Sequence, residues 1–232
     1  MSGELSRYSV LGTLVDRAVC MPYAKPQVLQ DGHRCDWIGE HRRWSRIATI
    51  REDVRDAARF LASSLQSPKA VEDWSEAQLS VDPAGPWWSK TLYDFLALDD
   101  RTQCWVIDRL EVTANLAAEC IQEESVEQQW TWLWSQPSFA MPGRERPRIT
   151  RPDLVAGLDR HRCAIIDLKT TSRTDLSSVV ADDQAQAFST WSASLVAMGF
   201  WPVERWVLSV STQEQRQEWI EFSSSDDREE HG

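Results

Sequence analysis

Several things are scarce in this 232-residue chain, and each scarcity excludes something. No apolar run approaches eighteen residues and no signal-peptide pattern opens the sequence, so the expectation is a soluble, cytoplasmic protein with no membrane partner. The five cysteines (20, 35, 104, 120, 163) are odd in number and show no CxxC spacing. Reduced, mostly buried thiols are expected, with neither a disulfide framework nor a zinc or iron–sulfur site. Only four histidines occur, and none is spaced as a metal ligand. No serine or cysteine sits in a pattern that marks an activated nucleophile. Positive charge is also short: the formal net charge is −11, which argues against a protein that coats nucleic acid through bulk charge.

What is present is unevenly distributed. Residues 144–173 carry eight Lys/Arg against four acids, the reverse of the whole chain. Acidic residues accumulate instead at 223–232, read as a solvated, disordered tail. Thirteen tryptophans cluster at Trp87-Trp88 and in "WTWLW" (130–134). They can fill a core, or some can line a groove and stack on bases.

Periodicity divides the chain. Leu5, Val10, Leu11, Leu14, Val15, Ala18 and Val19 form a helical stripe over 4–20. Further helices are expected at 50–66, 70–79, 87–98 and 101–124, with 21–48 irregular apart from a short strand near "RRWSRIATI". From 127 the pattern becomes strand-like: 127–135, then 149–157 and 162–170 around a turn at 157–161, with 139–148 a loop. A helix at 176–198 and strands at 203–211 and 217–222 follow. The expected class is α/β, a mixed central sheet with flanking helices. The chain divides into an N-terminal helical region, 1–126, and a core at 127–222.

The segment "RPDLVAGLDRHRCAIIDLKTT" (151–171) holds the chemistry. Side chains alternate along a strand, so Asp167 and Lys169 share a face. Pairing around the turn brings Asp153 near Asp167. Two neighbouring carboxylates repel, and Mg²⁺ or Mn²⁺ relieves that repulsion with hard oxygen ligands, the Leu168 carbonyl being a further candidate. Lys169 would then orient or acidify a water or stabilise a phosphoryl transition state. By spacing alone, an ion-pair network among Asp153, Asp167, Lys169 and Arg151 at a sheet end fits equally well.

Pro152-Asp153 and Asp167-Leu168-Lys169, with the apolar run before Asp167, resemble the PD-(D/E)XK nuclease superfamily. "QAQAF" (184–188) extends the likeness to the RecB-like and lambda-exonuclease-like branch, where a glutamine is followed four residues later by an aromatic. "GTLVD" (12–16) is similar to that branch's helix motif of glycine and histidine, with Asp16 in the histidine's place. The resemblance covers about 10–20 and 127–222. It implies a restriction-endonuclease-like core and a Mg²⁺- or Mn²⁺-dependent deoxyribonuclease, specifically an exonuclease of recombination, repair or phage biology. Asp153, Asp167 and Asp16 would bind metal, Lys169 would assist water, and Gln184 would help position the site. Phe188 lacks the family tyrosine's hydroxyl. Gln186, with Thr190 at the aromatic place, is the alternative glutamine. Arg148, Arg151 and Arg173 are the candidate backbone contacts. DNA is the expected partner, with a helicase, annealing protein or other recombination or defence subunit as a protein partner. A rival expectation is a catalytically inactive nuclease-fold subunit that binds DNA or a protein.

Overall fold

The computed structural model describes residues 7–20, 22, 49–66, 85–137, 139–140, 149–172, 182–213 and 216–222. The helix expected at 70–79 lies outside these residues, as do the tail at 223–232 and all of the strand expected near 42–50 except Thr49 and Ile50, and Ile50 opens a helix instead.

The described helices are α1 (Arg7–Cys20), α2 (Ile50–Leu65), α3 (Gly85–Leu96), α4 (Asp100–Glu127) and α5 (Asp182–Ala197). The strands are β1 (Trp132–Ser135), β2 (Phe139–Ala140), β3 (Ile149–Thr150), β4 (Leu154–Gly157), β5 (Arg162–Thr171), β6 (Trp201–Ser211) and β7 (Gln217–Glu221). Five of these form one mixed sheet in the order β1-β4-β5-β6-β7. Only β5 and β6 pair in parallel, and α5 is the crossover between them, as a parallel connection requires. The fold is therefore mixed α/β, as expected.

Period-two alternation along the strands feeds two cores. On one face Leu154, Ala156, Ala164, Ile166, Leu168 and Leu208 pack with Leu11, Leu14, Val15, Val54, Leu61, Leu110 and Ile121 of α1, α2 and α4. On the other, Val155, Cys163, Ile165 and Val207 meet Phe188, Trp191 and Leu195 of α5. The central strands are buried on both faces, which explains why they read as continuous apolar runs. Trp130, Trp132, Trp134 and Trp191 are buried, so these four indoles fill core. The Trp132 ring lies across its strand partner Gly157, where a Cβ would come within 2.0 Å of it.

The helical layer is tied together at its polar rim. Arg51 pairs with Glu119 and Arg59 with Glu111 (2.7 Å), joining α2 to α4. Asp99 caps α4 by accepting from the Thr102 N–H at 3.0 Å. Gln122 of α4 accepts from the Ile50 N–H at the start of α2 (3.1 Å).

Three local expectations change. The strand read from residue 127 begins only at Trp132, because α4 runs to Glu127 and a turn with Gln129 at φ 54° intervenes. The strand at 149–157 is interrupted: Ile149–Thr150 pairs with Phe139–Ala140 in a separate two-stranded ladder, and β4 starts afresh after Pro152-Asp153. Part of the 139–148 loop is therefore strand. Among the described residues, no helix is long and apolar enough to cross a membrane.

Candidate active site

The site forms where β4 stops short and β5 continues. Leu154 pairs with Ile166, so the residues just beyond that pair, Asp153 and Asp167, continue the register opposite one another. The Leu168 N–H has no β4 residue left to meet; the Asp153 carboxylate takes that place, accepting at 2.6 Å. Leu168 thus contributes its amide to the cluster and lines the same cleft. Asp167 and Lys169 project from one face of β5, and their carboxylate and ammonium meet at 2.6 Å. From α5, Gln184 donates its side-chain amide to the same Asp167 oxygen at 2.6 Å. Asp167 and Gln184 are both buried, whereas the Lys169 side chain is 37% exposed.

Asp16 arrives from α1. That helix can approach β5 because Gly12 has no side chain: a Cβ there would sit 2.3 Å from the Thr170 hydroxyl. One turn on, the Asp16 carboxylate accepts from the Cys20 thiol (3.3 Å) and from the Gln136 side-chain amide (3.0 Å), and it hydrogen-bonds with the Asp153 carboxyl. Gln136 binds twice, since its backbone N–H also donates to the Asp153 carbonyl at 2.9 Å. It does so from the left-handed region, at φ 47°. Ser135 next to it donates to the Cys20 carbonyl at 2.7 Å, anchoring the end of α1 to β1.

The electrostatics follow from this crowding. Burial first, and then the charges of Asp16 and Asp167, push Asp153 well above the usual carboxylate range. Asp16 is raised by burial and by Asp167, against the opposing bonds from Cys20 and Asp153. These directions are those of two carboxyl groups retaining a proton between them. For Lys169, burial alone would lower the pKa, but attraction to Asp167, Asp153 and Asp16 outweighs it and holds the ammonium above its ordinary value. Cys20 lies well above the normal thiol range through burial and then the charges of Asp16 and Asp153, so it is a neutral hydrogen-bond donor.

These groups border a cleft of about 510 Å³, lined by Asp16, Asp153, Leu168 and Lys169 at one part and by Tyr8, Ser9, Thr13 and Ser172 elsewhere. Asp167 lies behind this wall, held by Gln184 and Lys169. No family model, curated protein or solved structure matches this chain. The site is therefore read from its own geometry.

Hard carboxylate oxygens without an accompanying thiolate or imidazole suit Mg²⁺ or Mn²⁺ in kind. In arrangement the fit is partial: among the described residues, no three His, Cys, Asp or Glu side chains stand grouped so as to hold a metal ion. Lys169, ion-paired with Asp167, offsets part of the excess negative charge.

The remaining candidates are distributed as follows. Asp16, Asp153, Asp167, Lys169 and Gln184 come together. Gln186 is exposed, and its carbonyl accepts from Thr190 within α5. Phe188 is buried and stacks on Phe222 with ring centres 5.1 Å apart, so its ring belongs to the α5 core. Arg151 is half-buried two residues before Asp153. Arg148 and Arg173 lie outside the described residues. His161 is exposed in the β4–β5 turn, where the Asp159 carboxylate accepts from the His161 and Arg162 amides at 2.8 Å each. Sequence reasoning missed Cys20 and Gln136. Cys20 carried a usable signal, lying four residues after Asp16 on the same helical face.

Proposed function

We propose that this protein is a metal-dependent nuclease of the PD-(D/E)XK type, hydrolysing DNA phosphodiester bonds. One observation supports the reading above all: Asp16, Asp153 and Asp167, carried by α1, the β3–β4 break and β5, converge with Lys169 beside an open cleft. Crowding three acids costs stability, and a chain that only needed a salt bridge at a sheet end would need one of them.

A divalent cation on Asp16 and Asp153, with Asp167 close behind, would supply Lewis acidity and a water of lowered pKa. The chain's own groups do the remaining work. Lys169 is kept protonated by the acids and reaches the cleft, where its N–H groups can hold an attacking water or a phosphoryl oxygen. Gln184 fixes the Asp167 carboxylate, and Asp167 in turn aims Lys169. Cys20 and Gln136 fix the Asp16 carboxylate from two sides. The DNA-binding role of Arg148, Arg151 and Arg173, drawn from the basic stretch 144–173, belongs to the same proposal, as do the exonucleolytic mode and a helicase or annealing partner through the family resemblance.

The rival, a nuclease-fold subunit that binds without cleaving, is favoured by a specific observation: the Asp167 oxygen is already bound by both Gln184 and Lys169. The two readings separate on incubating linear, circular and single-stranded DNA with Mg²⁺ or Mn²⁺. The enzyme cleaves only with metal and loses cleavage in Lys169→Ala. Absence of cleavage, together with salt-sensitive DNA affinity, would replace the nuclease by the binding subunit.

A further inference from the structure

The cleft continues along α1, away from the acids, to Tyr8. This aromatic is held unusually firmly for a residue at a cleft rim. The Arg7 guanidinium donates to the Tyr8 hydroxyl oxygen at 2.9 Å, and Gln213, at the end of β6, donates to the same oxygen at 3.0 Å. Arg7 also lies over the Tyr8 ring at 4.9 Å and over the Trp105 ring of α4 at 4.5 Å. The two rings meet edge to face at 5.4 Å. Three elements therefore fix one phenol and one guanidinium.

A phenol oxygen can accept up to two hydrogen bonds and donate one. Here both acceptor positions are filled, and among the described residues nothing accepts the Tyr8 proton, so the hydroxyl acts as a donor from the cleft wall. The same two donors hold the phenol below its ordinary pKa, which strengthens it as a donor. Arg7 is exposed and has further N–H groups beyond the one given to Tyr8. Ser9, on the same helix, and Thr170 and Ser172, across the cleft, add hydroxyls to the wall, whereas Thr13 gives its proton to the Ser9 carbonyl at 3.1 Å. Hydroxyl donors on the wall, with the exposed Arg7 guanidinium next to Tyr8 at its rim, select a ligand rich in anionic oxygens.

Resting on the nuclease reading above, we infer that Tyr8 and Arg7 form a phosphate clamp that holds the polynucleotide backbone away from the scissile bond. Tyr8 and Asp16 lie a little over two turns apart on α1, about 12 Å along its axis. At about 3.4 Å of rise per nucleotide in a stacked strand, the clamp grips a phosphate roughly three to four nucleotides from the bond being cut. The ligand is thus a strand several nucleotides long, and a single phosphodiester cannot reach both ends of the cleft.

The test compares kcat/KM for a single-stranded octanucleotide with that for a dinucleotide, with Mn²⁺ present. Wild type favours the longer substrate, and Tyr8→Phe and Arg7→Ala each cut that preference about tenfold, the scale of a hydrogen bond to a charged group. Tyr93→Phe, on the exposed face of α3, serves as the control and keeps the preference. An unchanged octanucleotide-to-dinucleotide ratio in both clamp variants overturns the inference. Should wild type hydrolyse neither substrate, fluorescence anisotropy of a labelled octanucleotide in EDTA decides: about tenfold weaker binding by Tyr8→Phe and Arg7→Ala upholds the clamp although the hydrolytic reading fails, and equal binding by all forms overturns it.

Discussion

Replacing Asp153 by asparagine reverses an electrostatic penalty that the fold otherwise carries. In the metal-free protein the Asp153 pKa lies well above its unfolded value, through burial and then through Asp16 and Asp167. A raised folded pKa means that the native state holds the extra proton. Its stabilising effect is complete below the ordinary aspartate value of about 3.9 and is lost as pH rises through the folded pKa. Within that window each retained proton makes stability fall by about 1.4 kcal/mol per pH unit. Two pH units inside that window therefore remove about 2.8 kcal/mol, roughly a fifth to a half of the 5–15 kcal/mol that holds a domain together. Asparagine cannot ionise. Its carbonyl oxygen still accepts from the Leu168 N–H, and its amide can donate to Asp16 where the retained proton did. Urea denaturation in EDTA at pH 5, 6, 7 and 8 measures the effect. Wild type should lose stability across this range, and Asp153→Asn should show a flatter profile and be the more stable form at pH 8. Adding Mn²⁺ should flatten the wild-type curve and leave the variant's unchanged. Parallel wild-type and variant curves in EDTA would refute the reasoning, because the acids would then not share a crowded, proton-retaining site.

Three further outcomes follow from particular contacts. Gly12→Ala forces a Cβ against the Thr170 hydroxyl and should destabilise by about 1–3 kcal/mol. In a Thr170→Ala background the same change should instead stabilise by up to about 1 kcal/mol, the helix-propensity gain, and urea midpoints of the four proteins read out the change of sign. Gln184→Leu removes one of the two groups that bind the buried Asp167 carboxylate, leaving Lys169 alone, and should cost about 1–3 kcal/mol in stability and at least tenfold in cleavage rate, both absent if Gln184 merely packs. Phe188→Tyr restores the hydroxyl of the resembled motif, but places it among Trp191, Phe222 and their neighbours. It should destabilise by about 1–3 kcal/mol with no gain in activity, and a gain in cleavage would show that the ring belongs to the site.

The parts of this arrangement governed by local periodicity were legible. Alternation alone places Asp167 and Lys169 on one face of β5, and a single hairpin carries Asp153 across to them. The helical stripe over 4–20 gave α1, and the i,i+4 spacing from Gly12 gave the face bearing Asp16. Contacts assembled across the fold were not legible. Gln136 reaches Asp16 across 120 positions of sequence and carries no motif. Its left-handed backbone also has no glycine to announce it. The end of α4 is hard to place for a similar reason: Gln128 and Gln129 turn the chain without Gly or Pro, so the aromatic pattern reads as a strand that begins five residues early. The β2–β3 ladder was hidden because proline- and arginine-rich sequence surrounds two very short strands. The tryptophans left two uses open, and the period-two burial of Trp132 and Trp134 against opposite residues of β4 assigns these to packing.

The account stands most directly on Mn²⁺ binding, measured by isothermal titration of the wild type and of an Asp153→Asn/Asp167→Asn double variant in buffers of different protonation enthalpy. Wild type should take up the ion and release a proton as it does so, because the cation replaces the proton held between Asp16 and Asp153, and the double variant should bind at least a hundredfold more weakly. Equal binding by the two proteins, or no binding by the wild type, would contradict the proposed hydrolytic centre.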